Sequence, residues 1–181
     1  MMSLSRDEIA ALSGQQVFQT ARLRARRWRA EDLPIIHAVY SDPEGARWVG
    51  DGNPIGWADC EKWLAVTAAN YQGRGYGMFA LEDRATGQVI GFCGLVHPGG
   101  QEEAEVKYAL LKECWGQGLA SEIVPALLDY GRSVHGLTRI IATVAPENTA
   151  SCRVLEKAGF LHSDNRQDDD GTLTRVYEWL A

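Results

Sequence analysis

The spacing of apolar and polar residues divides this chain into alternating strand-like and helix-like stretches. Residues 1–16 read as a short helix or a loose tail, and Thr20 to Trp28 as a first strand with an arginine-rich exposed side. Glu31, Asp32 and Pro34 open a helix whose apolar side carries Ile35, Ile36, Val39 and Tyr40, ending near Ser41-Asp42-Pro43. A second helix, about Trp57 to Tyr71, has Trp57, Cys60, Trp63, Leu64 and Thr67 at helical spacing, and the glycines from Gly73 to Gly77 break it. Met78–Glu82 and Gln88–Val96 predict a hairpin, and Glu103–Leu111 a further strand. A helix then starts after Trp115-Gly116-Gln117-Gly118 and runs to about Arg132, with a local kink expected at Pro125. Ile140–Val144 reads as a short buried strand and Thr149–Ala158 as a helix closed by Gly159. Phe160–Asp164 and Leu173–Leu180 form a last pair of strands around Asp170-Gly171. This order fits neither a regular βαβ array nor a bundle. It predicts an α/β (α+β) fold with a mixed, largely antiparallel sheet.

Composition narrows the partners. The chain has 181 residues, 45% apolar and 23% charged, enough for one globular domain over 17–181 behind the tail of 1–16. A net charge of −6 disfavours general nucleic-acid binding, which rests on neutralising phosphates. Arg22, Arg24, Arg26, Arg27 and Arg29 therefore read as an edge strand shielded by charge rather than as a nucleic-acid patch. No apolar run approaches the ~20 residues of a membrane helix, and Arg6, Asp7 and Glu8 stand where a signal peptide needs an apolar core. Cys60, Cys93, Cys114 and Cys152 are scattered, without a Cys-x-x-Cys pair, and His37, His97, His135 and His162 form no ligand set. The expectation is a cytoplasmic protein with free thiols and no metal. Trp28, Trp48, Trp57 and Trp63 read as core or pocket wall, and Asp164, Asp168, Asp169 and Asp170 as a solvated turn or, alternatively, as a cluster that attracts a cationic acceptor.

One segment carries chemistry. A strand ending at Leu111 feeds Trp115-Gly116-Gln117-Gly118-Leu119-Ala120-Ser121, where a glycine turn opens a helix. The first turn of a helix presents unpartnered N–H groups at its positive end, a setting for phosphate. A P-loop is excluded because no Gly-Lys-Ser/Thr follows. A dinucleotide fingerprint lacks its acid, since the next strand runs out through Ala145 and Pro146. A diphosphate cradle and a plain strand–helix turn both remain open on these residues alone.

The wider context resembles the GNAT superfamily of acetyl-CoA-dependent N-acetyltransferases, most closely its RimJ/RimL-like branch. Trp115 to Ala120 is similar to that family's pyrophosphate loop. The stretch from Asn148 to Phe160 is similar to its second signature helix, Thr20–Arg26 with Glu31-Asp32-Leu33 to its opening, and Gly91–Leu95 to its central hairpin. The resemblance implies a sheet with a splayed central strand flanked by helices on both faces. It also implies acetyl transfer to a primary amine, either a protein N-terminus or a small molecule, with acetyl-CoA as co-substrate. The alternative within that resemblance is a silent CoA-binding sensor. A homodimer is ordinary for that branch.

The resemblance further implies roles. Glu105, the acid of the family's Glu-x-x-Tyr stretch, is the expected base, acting directly or through water, with an ordinary strand-face or substrate-orienting carboxylate as the other reading and Glu102 and Glu103 as the next candidates. Leu110 N–H is the expected carbonyl donor. Ser151 is expected near the thioester sulfur, as a catalytic group that protonates the leaving thiolate or else orients it or relays a proton through water, and no tyrosine falls in the helix that carries it. Tyr108, Ala109, Leu110, Trp115, Gly116, Gln117, Gly118, Leu119, Ala120, Ser121, Asn148, Ser151 and Arg153 are expected to line the CoA site. Asn148 would bond the pantetheine arm or cap its helix, and Arg153 would reach the 3′-phosphate or stay solvated. Lys107 and Ala109 depart from the Gly and Trp frequent in that branch, and both bear on the acceptor pocket.

Overall fold

A computed structural model of the chain describes residues 4–50 and 52–181. Ser5 caps α1 (Arg6–Ala11): its hydroxyl accepts from Glu8 N–H at 3.1 Å while the Glu8 carboxylate accepts from Ser5 N–H at 2.6 Å. The expected first strand is two strands, β1 (Gln16–Gln19) and β2 (Leu23–Arg26), folded as an antiparallel hairpin. Gln16-Val17-Phe18-Gln19 is too short and too polar at its ends to stand out by periodicity. Its partner β2 supplies the ladder that defines it.

β2 is also not an edge strand. It pairs with β1 on one side and β3 (Met78–Asp83) on the other. Its arginines are neutralised internally: buried Arg26 donates to Asp32 at 2.7 Å and to Glu82, and Arg24 meets Glu82 at 3.2 Å. A charge removed from water needs such partners, so Arg24 and Arg26 are structural, while Arg22 and Arg29 at the ends of the run stay exposed.

A short 3₁₀ turn at Ala30–Asp32 leads into α2 (Leu33–Ser41), followed by α3 (Pro43–Ala46) and the long α4 (Trp57–Arg74). Then come β4 (Val89–Val96), β5 (Ala104–Leu110), α5 (Leu119–His135), β6 (Arg139–Val144), α6 (Thr149–Lys157), β7 (Leu161–Gln167) and β8 (Leu173–Leu180). α5 runs unbroken through Pro125. The eight strands form one sheet in the order β1-β2-β3-β4-β5-β6-β8-β7. Every neighbouring pair is antiparallel except β5–β6.

That parallel pair shapes the molecule. β5 follows β4 in register from Glu105 to Leu110, but it matches β6 only at Ala104↔Ile140 and Glu105↔Ile141. Beyond Glu105 the two strands part. The sheet is splayed at its centre, as expected.

Side chains alternate across β5, so its two faces differ. Phe92, opposite Ala109, packs against Tyr40 of α2 and Trp63 of α4 with ring centroids 5.7 and 5.3 Å apart. Odd-numbered residues of β5 therefore face α2 and α4. Cys93, opposite Tyr108, shares its face with Phe79, whose ring meets Tyr130 of α5 edge-on at 5.7 Å. Even-numbered residues of β5 therefore face α5 and α6. Helices cover both faces, and Trp28, Phe79, Phe92 and Leu95 are among the fully buried core residues. The tryptophans divide: Trp28 and Trp63 meet edge-on at 5.7 Å in the core, while Trp57 and Trp48 stay partly exposed against His37 and Arg47. The four cysteines are free thiols. Among the described residues no helix is long and apolar enough to cross a membrane.

Candidate active site

On the face of α5, the glycine turn takes a form that only its sequence permits. Gly116 and Gly118 have φ of +74° and +76°, values that cost a side-chain-bearing residue roughly 1 kcal/mol or more. A Cβ at Gly116 would meet open space, and one at Gly118 only the tip of Arg22 at 3.7 Å. The constraint is backbone conformation, not crowding. The first intrahelical bond of α5 is Glu122 N–H to Gly118 C=O at 3.1 Å. The N–H groups of Leu119, Ala120 and Ser121 thus precede the helix's own acceptors and sit at its positive end. This open, glycine-bounded rim fits a diphosphate.

The turn is held from behind. Arg22 donates to the Gln117 carbonyl at 2.8 Å and to Glu122 at 2.9 Å, and Thr20 donates to Glu122 at 2.6 Å. Burial would raise the Glu122 carboxyl, but the hydrogen bonds from Thr20 and Arg22 outweigh it and hold the group below the usual range. Trp115 Nε1 donates to the Leu110 carbonyl at 2.9 Å and ties the loop to the end of β5. Arg22, Thr20, Glu122 and Trp115 form a brace that sequence spacing does not reveal, because its members lie up to 102 residues apart.

Leu110 sits where the strands part. Leu111 N–H donates to Ile90 C=O at 2.8 Å, so antiparallel alternation turns the N–H of Leu110 away from β4 and towards the gap beside β6. On the same face, the Tyr108 hydroxyl makes a short hydrogen bond to Ser151 Oγ of α6. Burial pushes the Tyr108 phenol up to about 12, against the opposing effect of Ser151, so it is a neutral O–H at pH 7. Tyr108 was expected only as a lining residue. Its register on β5 brings its phenol to Ser151, which no pattern within the Asn148–Phe160 stretch discloses. Asn148 caps α6, its side-chain oxygen accepting from Ser151 N–H at 3.3 Å. Arg153 is exposed on the same helix.

On the opposite face, Glu105 is 2% exposed. It accepts a short hydrogen bond from Thr143 of β6, another from Gln101 at 3.2 Å, and an ion pair from Lys107 at 2.6 Å. Lys107 also lies 3.4 Å from Thr143 Oγ1. The gap between the parted strands is bridged here by side chains rather than backbone. Glu105, Lys107, Thr143 and Gln101 line a cavity of about 260 Å³, with Arg166 and Asp168 of the β7–β8 turn region on its far wall. Thr143 and Gln101 carry no sequence signal, since strand pairing brings Thr143 to the site and the turn before β5 brings Gln101. Glu102 and Glu103, the other acids of this segment, stay outside that cluster; Glu103 pairs with Arg139 at 3.0 Å. Among the described residues no group of three or more His, Cys, Asp or Glu side chains converges as a metal site.

A mixed sheet parted at its centre, with an anion-ready helix start on one face and a buried carboxylate on the other, defines the class of protein. Residues 22–161 match the family described as acetyltransferase (GNAT) domain. YoaA, an uncharacterized N-acetyltransferase of Bacillus subtilis (strain 168), is 34% identical over 146 residues, 80% of this chain and 82% of YoaA. The crystal structure of an acetyltransferase from Agrobacterium tumefaciens str. C58 superposes with a TM-score of 0.79 at 25% identity, covering 91% of this chain and 94% of that one. A spermidine N-acetyltransferase from Vibrio cholerae, in complex with CoA and spermine, shares the fold with a TM-score of 0.73 at 19% identity over 88% and 96% of the chains. The chain belongs to the GNAT acetyltransferase family and is an acetyltransferase.

Proposed function

We propose that the protein transfers the acetyl group of acetyl-CoA to a primary amine, on a protein N-terminus or a small molecule, by direct attack in a ternary complex. We place it in the RimJ/RimL-like branch on its Trp115–Ala120 and Asn148–Phe160 motifs. The observation that carries the reading is the division of β5: Glu105 faces one side of the sheet, Tyr108 with Ser151 the other, and Leu110 N–H points into the gap between them. CoA binding in related folds, as in the Vibrio cholerae enzyme, supports the choice of co-substrate.

Acetyl-CoA supplies an activated thioester. The amides of Leu119, Ala120 and Ser121 hold its diphosphate at the positive end of α5. Asn148 is left its amide N–H₂ to reach the pantetheine arm while its oxygen caps α6. Arg153 reaches the 3′-phosphate. Leu110 N–H donates to the thioester oxygen as charge develops there. An alkyl amine is mostly protonated near pH 7, so Glu105, directly or through water, takes the proton before attack. Tyr108, a neutral phenol within hydrogen-bond reach of Ser151, gives a proton to the leaving sulfur, with Ser151 orienting it. A tyrosine on β5 thus stands in for the acid that α6 lacks.

The test is incubation with acetyl-CoA and a panel of amines while free thiol is measured. Amine-dependent thiol release with a matching N-acetyl product is expected. Tight CoA binding without release for any amine would overturn the reading.

A further inference from the structure

The acceptor cavity has an unusual resident. Its one buried carboxylate, Glu105, already holds an ammonium: Lys107 Nζ is 2.6 Å from Oε1, on the same face of the same strand. A purely cationic acceptor would have to displace Lys107 and leave that charge beside its own. On the far wall stands Arg166, which has no carboxylate within 4 Å among the described residues, with Asp168 two positions on. The lining charges are therefore two acids, Glu105 and Asp168, and two bases, Lys107 and Arg166. The hollow, about 260 Å³ and open to solvent on one side, is of small-molecule size.

We propose that the acceptor is a small zwitterion, a primary amine carrying a carboxylate a few bonds away, as in an amino acid. This rests on the acetyl-transfer reading above and names its substrate class. Binding works by exchange of ion-pair partners. The acceptor carboxylate draws Lys107 away from Glu105 and is held between Lys107 and Arg166. Glu105, with Thr143 and Gln101 still bonded to it, is freed to face the acceptor's ammonium and take its proton. The amine nitrogen then forms the new bond to the acetyl carbon as the C–S bond breaks; the sulfur leaves with the proton of Tyr108, the nitrogen's second proton passes to solvent, Tyr108 regains a proton from solvent, and Glu105 releases its own there after turnover. The free site holds one ion pair, Glu105 with Lys107; the occupied site holds two, Glu105 with the acceptor's ammonium and the acceptor's carboxylate with Lys107 and Arg166, so the exchange strands neither Glu105 nor Lys107. Lys107 is about 41% exposed in its side chain, so it can swing without unpacking the core. A polyamine finds no such exchange, because it brings charge that Lys107 and Arg166 repel.

Three acceptors test this, each assayed at saturating acetyl-CoA: a panel of free amino acids, the matching amino acid amides, and spermidine. For the best amino acid, kcat/KM should exceed that of its amide by about tenfold or more, the scale set by leaving charged partners unpaired in a recognition site. Lys107→Met should invert this ratio: the free acid falls about tenfold, while the amide rises because Glu105 is now open to any amine. Arg166→Gln should weaken the free acid alone. A merely structural role for Lys107 would lower both substrates together and leave their ratio unchanged. An amide or spermidine used as well as or better than every free acid would overturn the proposal. If no amine is acetylated at all, the acetyl-transfer reading fails separately, and calorimetric titration of the CoA-bound protein decides the present one. Amino acids binding while amides do not would support it, and equal or absent binding of both would overturn it.

Discussion

The two faces of β5 are built by different means. The face towards α5 and α6, where we propose that CoA binds, offers main-chain groups: amides at the start of α5, Leu110 N–H, and two glycines whose positive φ shapes the turn. The face towards α2 and α4 relies on side chains drawn from four separate segments, at Gln101, Glu105 with Lys107, Thr143 and Arg166. A backbone device leaves a local trace in sequence, because glycine and helix-start residues must stand at fixed offsets. A side-chain pocket leaves none, because strand pairing alone decides which distant residues meet. Evolution can therefore change the acceptor without touching the loop.

This difference explains what could be read in advance. Apart from the four-residue α3, too short to show a period, the order of helices and strands from Leu33 onward followed from periodicity, and the turn at Trp115–Gly118 from its glycines. The hairpin β1–β2 was not legible, because Gln16–Gln19 has only two apolar residues and owes its form to hydrogen bonds with β2. Nor was the burial of Arg26, which needs Asp32 and Glu82 from other elements to be neutralised. Glu105 could be picked out as the acid on the strand, yet its three donors could not. Lys107 stood out only as a departure from a pattern, and its meaning came from lying on the same strand face as Glu105.

The largest expected effect breaks the main-chain face. Gly118→Glu puts a negative side chain at φ +76° beside the diphosphate site, combining backbone strain with repulsion at a helix start. CoA affinity should fall by about 100-fold or more. Calorimetry with CoA measures it directly, and affinity within a few-fold of the parent would remove the loop from the binding site. The variant should leave the Glu105 cavity intact, so the two faces separate cleanly.

Glu105→Gln breaks the other face and should do the reverse. Turnover should drop by about 100-fold, the range for removing a general base, while CoA binds as before. The loss should be greatest near neutral pH and smaller in alkali, where the amine deprotonates unaided. Steady-state rates from pH 6 to about 10 would reveal this, and a parallel loss at every pH would mean that Glu105 only positions the acceptor.

Tyr108→Phe sharpens the assignment of the acid, with turnover expected to fall by about tenfold and CoA affinity little changed. Ser151→Ala should cost less, since it removes the orienting partner and not the proton. The pH dependence has a definite sign. Burial raises the phenol from its ordinary 10.0 to about 12, so the folded state favours the neutral form. The stabilisation this gives is full below pH 10 and is lost as pH rises from about 10 to about 12. Melting temperatures of the parent should decline more steeply across that window than those of Tyr108→Phe.

The smallest effect concerns the brace behind the loop. Glu122 ties Thr20 and Arg22 to the start of α5, and its carboxyl sits below the usual range because those hydrogen bonds outweigh burial. A depressed acid stabilises the fold above its unfolded pKa of 4.5 and loses that contribution as pH falls through the lower folded value. Because Arg22 is about half exposed, the pair is screened, and Glu122→Gln should cost less than ~1 kcal/mol at pH 7. The parent and variant should converge in stability below pH 4.5, which denaturant titrations at pH 7 and in acid can measure. CoA affinity should weaken only slightly, since the amides proposed to bind it belong to α5 itself. A large loss of CoA binding in Glu122→Gln would mean that the main-chain face depends on distant side chains as much as the acceptor face does, and the contrast between the two would no longer hold.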